Sequence, residues 1–295
     1  MTSSKTVVFF GTEQFSAPTL QSLIAAGYPI AYVVTKPDTA RGRGRTLESP
    51  EVKKIAQVHG IPVLQPLKLK DIYDTLAALE NSVGVLVSYG KIIPQSIIEL
   101  FTPGIINVHP SLLPKYRGPS PIESAILNGD QETGISIMQL SAAMDAGSVY
   151  TQITIPLTGT ETKSELYSTF AQRGADILIE NLPHILDESL TGTSQYEADA
   201  TYCSLLKKDD GAMNTEHKTA QQLEREVRAY LGFPKSRLAF HGQPLIVLSA
   251  HIGASIDDGP LTIACLDQSY LVIDELIAPS GKKMNAEAFI RGHQK

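Results

Sequence analysis

The stretch GIINVHPSLLP, residues 104–114, decides the fold because a buried strand ends inside it. Its apolar opening predicts a strand, and Pro110 and Pro114 prevent either a strand or a helix from continuing. Asn107 and His109 are two residues apart, so on a strand their side chains point to the same face. We therefore expect both at the carboxyl end of a strand, the edge where ligands bind in open α/β sheets.

The chain around this stretch alternates between strand and helix patterns. Strands are predicted at residues 6–10, 30–34, 61–64, 83–88, 104–108, 135–140 and 149–155, and helices at 15–26, 51–59, 71–80, 94–101 and 161–182. Four successive strand–helix–strand repeats predict an α/β domain with a doubly wound, Rossmann-like parallel sheet. We expect this first domain to span residues 1–182.

The remaining chain has a different character. Residues 183–206 contain Pro183, Gly192 and many Ser, Thr and Asp, and we interpret them as a linker. A helix is predicted at residues 219–231, followed by short strands at 237–240, 245–251, 261–265 and 270–277. Short strands at this spacing predict a small OB-like β-barrel over residues 207–295.

Composition excludes several classes of protein. The 295 residues are 42% hydrophobic and 19% charged, as in ordinary globular proteins. No apolar run approaches the roughly 20 residues that span a bilayer, and no signal-peptide pattern opens the chain. Two cysteines are too few for a disulfide framework or a metal cluster. We therefore expect a cytoplasmic protein with no membrane partner.

The first strand-to-helix turn argues against a dinucleotide cofactor. The turn at residues 10–15 holds a single glycine, Gly11, and so lacks the G-x-G-x-x-G pattern that cradles a pyrophosphate. The glycines at 42 and 44 do not replace it, because they lie in a long polar loop. Walker and metalloprotease motifs are also absent from the sequence.

A carboxylate completes the polar set near the predicted strand end. Asp145 lies in MDAG, residues 144–147, between two predicted strands. An aspartate before glycine is also common in ordinary turns. Beside an imidazole, however, a carboxylate can orient the ring or stabilise its protonated form. An amide donor, an imidazole and a carboxylate suit a carbonyl that becomes an oxyanion.

Basic residues are clustered although the formal net charge is −6. Arg41, Arg43 and Arg45 alternate with glycines in a polar loop, which is either a solvated flexible loop or an arm that orders on nucleic acid. Lysine pairs at 207–208 and 282–283 lie in the second predicted domain, which is neutral overall. A phosphate-binding surface could be assembled from these clusters, although composition does not require one.

These motifs resemble the formyltransferases that use 10-formyltetrahydrofolate. The resemblance rests on Asn107, His109, Asp145 and the sequence SLLP at 111–114. It extends through FFGT at 9–12, KPD at 36–38, GRG at 42–44, VSYGKIIP at 87–94, RG at 117–118 and GKKM at 281–284. The arginine loop and the last of these segments favour the branch of the family that acts on methionyl initiator tRNA.

The resemblance implies a reaction and a set of site residues. It implies transfer of a formyl group from 10-formyltetrahydrofolate to the α-amino group of methionine on initiator tRNA, with Asn107, His109 and Asp145 as catalytic residues and no metal. We expect a monomer. The residues expected to bind folate are Tyr89, Gly90, Ile92, Ser111, Leu112, Leu113 and Pro114. The residues expected to bind tRNA are Arg41, Arg43, Arg45, Lys207, Lys208, Lys282 and Lys283.

Three other functions remain open at this point. A formyltransferase acting on the amine of a sugar nucleotide needs the same three polar residues but not the arginine loop. A hydrolase that releases formate from the folate would turn over without an amine acceptor. The third is a noncatalytic tRNA-binding protein, which would not explain why the three polar residues occur at the strand ends.

Overall fold

The computed structural model describes residues 5–41 and 46–293, and for residues 41, 46 and 293 it describes the backbone only. The chain forms two compact units, which are described separately. The first unit consists of Met1–Gly118, Gly134–Ile155 and Tyr167–Tyr202. The second consists of Pro119–Thr133, Pro156–Leu166 and Cys203–Lys295.

A seven-stranded sheet organises the first unit. Its strands are β1 Thr6–Gly11, β2 Ile30–Val34, β5 Val63–Leu64, β6 Ser82–Val87, β7 Ile105–His109, β8 Glu132–Gln139 and β9 Val149–Pro156. They follow the order β5-β2-β1-β6-β7-β8-β9. The first four pairings along this order are parallel, and β8 runs antiparallel to β7. Chain order reverses at β1, which gives the sheet a switch point of the kind that binds ligands.

The central strands are buried on both faces, as parallel strands covered by helices must be. Val7, Val8, Phe9 and Phe10 of β1 are fully buried. The Phe10 ring packs edge to face with the Tyr89 ring at a centroid distance of 5.8 Å. Apolar burial of this kind contributes roughly 25 cal/mol per Å², so these strands form a rigid platform for the residues that follow them.

The helices and the small hairpin complete the elements of the chain before residue 207. The helices are α1 Ala17–Ala25, α2 Glu51–Val58, α3 Tyr73–Ala77, α4 Gln95–Ile98, α5 Pro121–Asn128 and α6 Lys163–Leu186. The hairpin joins β3 Thr39–Arg41 to β4 Thr46–Glu48 in antiparallel pairing.

An antiparallel sheet forms most of the second unit. Its strands are β10 Ser236–Phe240, β11 Gln243–Gly253, β12 Thr262–Ala264, β13 Tyr270–Ile277 and β14 Lys283–Asn285, accompanied by α7 Ala220–Ala229 and α8 Ala286–His293. Leu223 and Val227 of α7 lie in one apolar core with Leu245 and Leu276 of the sheet. Thr219 caps α7 because its hydroxyl accepts a hydrogen bond from the Gln222 N–H.

The fold class expected from the sequence is confirmed, with differences at particular elements. The helix predicted at residues 161–182 begins at Lys163 and continues to Leu186, although Pro183 lies in its last turn. That helix therefore takes in the start of the predicted linker. Four short features were not predicted from the sequence: α5, α8, β14 and the β3–β4 hairpin. The domain limits at residues 182 and 206 stay predictions, and the two compact units divide the chain elsewhere.

Among the described residues, no helix is both long enough and apolar enough to cross a membrane.

Candidate active site

The strand β7 carries Asn107 and His109 to the edge of the sheet. Asn107 lies opposite Leu86 of β6 and Met138 of β8, and His109 lies opposite Ser136 of β8. Both side chains are buried, and they share one face of the strand. The strand ends at His109 because Pro110 has no N–H to donate to the sheet. This confirms that the two polar residues end a buried strand.

The turn after the strand is held by internal hydrogen bonds. The Ser136 hydroxyl donates to the Ser111 carbonyl at 2.6 Å and accepts from the Leu113 N–H at 3.1 Å. The Gln152 amide donates to the Leu113 carbonyl at 2.8 Å. The Ser111 hydroxyl donates to the Lys115 carbonyl at 2.6 Å. These bonds give the turn a fixed shape beside His109.

Asp145 reaches His109 from the loop between β8 and β9. Its Oδ2 lies 3.7 Å from Nδ1 of His109, and its side chain is 17% exposed. The same oxygen accepts a 2.7 Å hydrogen bond from the Gly118 N–H. The backbone of Asp145 has φ +46°, a left-handed conformation that Asp tolerates better than most residues. This geometry aims the carboxylate at the imidazole.

Each nitrogen of the His109 ring faces a hydrogen-bond acceptor. Its Nε2 lies 3.0 Å from the Tyr116 carbonyl oxygen, and its Nδ1 faces Asp145. A carbonyl oxygen can only accept, so Nε2 carries a proton. The 3.7 Å separation between Nδ1 and the carboxylate exceeds a hydrogen bond, and distances of this kind often tighten only when substrate binds. The pair can therefore orient the ring and stabilise a positive charge on it.

The segment after β6 lies at the same edge of the sheet. The Thr12 hydroxyl donates to the Tyr89 carbonyl at 3.0 Å, while the Tyr89 ring is buried in the core. Burial raises the pKa of the Tyr89 hydroxyl to about 12, so it stays neutral. By contrast, Ile92 is 90% exposed, which is unusual for a large apolar side chain. Gly90, also exposed, has φ +69°, which favours glycine.

The base of the arginine loop is held by a carboxylate. Asp38 accepts hydrogen bonds from the Lys53 ammonium at 2.8 Å, from the Gln65 amide at 2.8 Å and from the Ser49 hydroxyl at 3.0 Å. Hydrogen bonds from Lys53, Gln65 and Ser49 lower the pKa of the Asp38 carboxyl to about 2. They tie together the segments on either side of the loop.

The three arginines of the loop cannot be placed as side chains. Arg43 and Arg45 lie outside the described residues, and only the backbone of Arg41, the last residue of β3, is described. Their expected contact with tRNA stays a prediction.

The four lysines all belong to the second unit and are exposed. The Lys283 ammonium pairs with the Glu275 carboxylate at 2.8 Å, so part of its charge is neutralised. The Lys207 N–H donates to the Asp210 carboxylate at 2.7 Å, and Asp209 also follows Lys208. Acidic neighbours therefore weaken the local positive field that these lysines were expected to supply.

A buried cation, which was not predicted from the sequence, lies in the chain segment 116–118, which contacts His109 and Asp145. Arg117 is 1% exposed, and it lies between the two residues whose backbones contact His109 and Asp145. Burial alone would lower the pKa of its guanidinium, but hydrogen bonds to Glu197 and Tyr202 raise the pKa overall. In the sequence, this arginine appeared only as part of the motif RG at 117–118. No pattern in the sequence pointed to Gln195, Glu197 or Tyr202, its partners 78 to 85 residues away.

Among the described residues, no group of three or more His, Cys, Asp or Glu side chains is arranged to hold a metal ion. The expectation that the reaction needs no metal stays a prediction.

Comparison with known proteins shows the family of this chain. Residues 4–182 match the sequence profile described as "Formyl transferase", and residues 205–294 match "Formyl transferase, C-terminal domain". A methionyl-tRNA formyltransferase of Methylococcus capsulatus is 36% identical over 299 residues, covering 97% of this chain and 96% of that protein. One of Dechloromonas aromatica is 36% identical over 298 residues, covering 97% and 95%.

Solved structures share the fold at lower identity. The sugar 3N-formyltransferase WlaRD has a TM-score of 0.67 and 21% identity, and the match covers 92% of this chain and 97% of that one. An N-formyltransferase of Helicobacter canadensis has a TM-score of 0.67 and 18% identity, covering 91% and 98%. The chain therefore belongs to the formyltransferase family. Within that family, its full-length relatives place it among the methionyl-tRNA formyltransferases.

Proposed function

We propose that this protein transfers the formyl group of 10-formyltetrahydrofolate to the α-amino group of methionyl initiator tRNA. The product is N-formylmethionyl-tRNA, which serves translation initiation. The observation that carries the proposal is the placement of Asn107 and the His109–Asp145 pair at the carboxyl end of β7. The names of the full-length relatives support the choice of acceptor.

Asn107 and His109 stabilise the charge that develops at the formyl oxygen. 10-Formyltetrahydrofolate supplies an activated formyl carbonyl, and attack by a neutral amine places negative charge on the carbonyl oxygen. The Asn107 amide donates a hydrogen bond to that oxygen, and protonated His109 offers a positive charge beside it. One such donor typically lowers the barrier by about 2.7–4 kcal/mol.

Asp145 supports His109 in two ways. Its carboxylate faces Nδ1 of the ring at 3.7 Å, so it orients the imidazole and places a negative charge beside it. It also provides a base that can help remove the proton that the attacking amine must lose. When the oxyanion collapses, the bond between the formyl carbon and N10 of the folate breaks, and that nitrogen takes up a proton as tetrahydrofolate leaves. The Gly118 N–H, at 2.7 Å from Oδ2, keeps the carboxylate in place for both roles.

We place the folate at the edge of the sheet where β6 and β7 end. Exposed Gly90 and Ile92 offer a flat apolar surface for a ring, and Leu112 and Pro114 are partly exposed on the turn after His109. Tyr89, Ser111 and Leu113 are buried, so they contribute main-chain groups and the shape of the wall.

The acceptor tRNA meets basic residues of the loop and of the second unit. The arginines are Arg41, Arg43 and Arg45, of which Arg43 is assigned to the acceptor end, and the lysines are Lys207, Lys208, Lys282 and Lys283. Guanidinium and ammonium groups neutralise phosphates and release counterions, so we expect tRNA affinity to fall with salt. The proposal includes a monomeric enzyme without a metal, working in the cytoplasm, where translation takes place.

The test is formyl transfer from 10-formyltetrahydrofolate to methionyl initiator tRNA, with wild type, His109→Ala and an acceptor-free control. The proposal predicts transfer that requires the tRNA and that falls by at least about 100-fold in the variant, as for loss of an acid–base group. Folate turnover without an acceptor would instead indicate a hydrolase that releases formate.

A second arm separates the tRNA enzyme from one acting on sugar nucleotides. Deletion of residues 39–46 should abolish transfer to the tRNA and leave the folate affinity within about twofold. Transfer to an amino-sugar nucleotide by both wild type and the deletion, with none to tRNA, would contradict the proposed acceptor.

A further inference from the structure

The buried Arg117 side chain is held by a hydrogen-bond network. Its Nε donates to the Gln195 side-chain oxygen at 3.0 Å, and one terminal nitrogen donates to the Glu197 carboxylate at 2.8 Å and to the Tyr202 hydroxyl at 3.0 Å. A backbone bond from the Arg117 N–H to the Thr201 carbonyl at 2.9 Å adds to this. Residues 195–202 are thereby fastened to the segment that follows the catalytic strand.

The residues on either side of Arg117 hold the catalytic pair. The Tyr116 carbonyl accepts from Nε2 of His109, and the Gly118 N–H donates to the Asp145 carboxylate. Tyr116 has φ +57°, a conformation that a non-glycine residue keeps only when its surroundings impose it. Arg117 lies between Tyr116 and Gly118 in the chain, and its side chain is anchored by Gln195, Glu197 and Tyr202.

Gln195 connects the same network to Asp145 by a second route. Its amide nitrogen donates to the Asp145 carbonyl at 2.7 Å and to the Gly147 carbonyl at 2.8 Å, while its oxygen accepts from Arg117. One side chain thus joins the Arg117 guanidinium to the backbone of the loop that carries the carboxylate. All of these residues belong to the first unit.

We propose that Arg117, held by Gln195, Glu197 and Tyr202, is a positioning residue that sets the distance between His109 and Asp145. Gln195, Glu197 and Tyr202, in the segment that follows α6, therefore support the catalytic pair through Arg117. The inference rests on the proposed function, because it assigns the pair its role in formyl transfer. It predicts that changes far from substrate lower the rate of the chemical step without weakening substrate binding.

The first measurement is steady-state kinetics of Gln195→Ala. A displacement of about 1 Å in catalytic groups can cost on the order of 100-fold in rate, so we expect kcat to fall by about 10- to 100-fold. KM for both substrates should stay within about twofold. An unchanged kcat in this variant would overturn the proposal, whatever the stability of the variant and whether or not its KM rises.

Surface variants keep the test independent of folding. Glu197 is 73% exposed, and Glu197→Ala should lower kcat by about two- to fivefold, as befits a partly screened ion pair. Glu197→Gln keeps an acceptor for Arg117 and should recover part of that loss. Asp199→Ala, in the same exposed turn, is the matched control and should behave like wild type. Equal losses in both alanine variants would contradict the network.

The hydroxyl of Tyr202 allows a second matched pair. Tyr202→Phe removes the oxygen that accepts from Arg117, while Tyr196→Phe changes an exposed tyrosine six residues earlier. Only the first should lower kcat. In Gln195→Ala combined with Arg117→Lys, the losses should not add, because both changes break one network. Additive losses would overturn the proposal.

A readout without substrate separates this inference from the proposed function. Nitrogen-15 NMR of the imidazoles should show the His109 signals displaced in Gln195→Ala and unchanged in Asp199→Ala, with the other six histidines unaffected. If wild type fails to formylate methionyl-tRNA while the His109 signals are still displaced in Gln195→Ala, the proposed acceptor is refuted and the positioning role is supported. Unperturbed His109 signals in Gln195→Ala refute the positioning role, whatever the wild-type activity.

Discussion

Nδ1 of His109 lies 3.7 Å from Oδ2 of Asp145, and that oxygen is held by the Gly118 N–H at 2.7 Å. The carboxylate therefore keeps its position without a direct hydrogen bond to the ring. An arrangement of this kind lets the imidazole gain or lose a proton without moving its partner, which suits general acid–base chemistry.

Asp145→Asn should lower kcat by about 100-fold or more, because a neutral amide cannot stabilise an imidazolium or accept the amine proton. The amide oxygen can still accept from Gly118, and Asn tolerates the positive φ of this position. The melting temperature should consequently stay within about 2 °C of wild type, which corresponds to about 1 kcal/mol for a chain of this length. Formyl-transfer kinetics and calorimetry check the two parts, and activity within about twofold of wild type would remove Asp145 from the mechanism.

Asn107→Ala should lower kcat by about 100- to 1,000-fold through loss of one oxyanion donor. KM for the folate should change little, because the missing hydrogen bond forms mainly in the transition state. Single-turnover kinetics measure the chemical step directly. Asn181→Ala, the same change in α6, where the side-chain amide donates to the Ile177 carbonyl of its own helix, serves as the control with unchanged kinetics. A fall in kcat/KM arising from KM alone would assign Asn107 to binding.

Asp38 should make stability depend on pH in the acid range. Its carboxyl has a folded-state pKa of about 2, below the ordinary value, so its stabilising contribution is complete above the unfolded pKa of about 4. That contribution is lost as the pH falls through about 2. The melting temperature of Asp38→Asn should therefore lie below that of wild type by a constant amount from about pH 7 to about pH 5. The gap should narrow below about pH 4, and a gap independent of pH would contradict the assignment.

Reversing the charge of Lys207 and Lys208 together should weaken tRNA binding and reduce its dependence on salt. For duplex nucleic acid, each phosphate that the protein no longer neutralises reduces the slope of log K against log salt by about 0.9. Lys68→Glu combined with Lys70→Glu, at exposed positions of the first unit, controls for net charge. Lys283→Glu alone should have a smaller effect, because Glu275 already neutralises Lys283. If both double variants weaken tRNA binding equally, the effect comes from the net charge of the protein and not from Lys207 and Lys208 in particular.

Local sequence determined the platform of this protein. Val7–Phe10 are apolar, as are Ile105, Ile106 and Val108, so both strands can be buried on both faces, and Pro110 ends the second strand whatever surrounds it. Asn107 and His109 could therefore be placed at a strand end, on one face, from their spacing alone. Hydrophobic periodicity and proline are local properties, so they act before any distant contact forms.

Tertiary structure decided what surrounds the imidazole. The Tyr116 carbonyl, the Gly118 N–H and the Gln195 amide reach the catalytic pair through hydrogen bonds between residues up to 50 positions apart in the chain, and backbone groups leave no mark in a sequence. The short α5 and α8 and the β3–β4 hairpin escaped prediction for a related reason, since brief elements owe their stability to packing more than to propensity. The sequence alone thus determined which groups could do the chemistry, and only the folded chain decided the distances between them, because those distances depend on where remote segments meet.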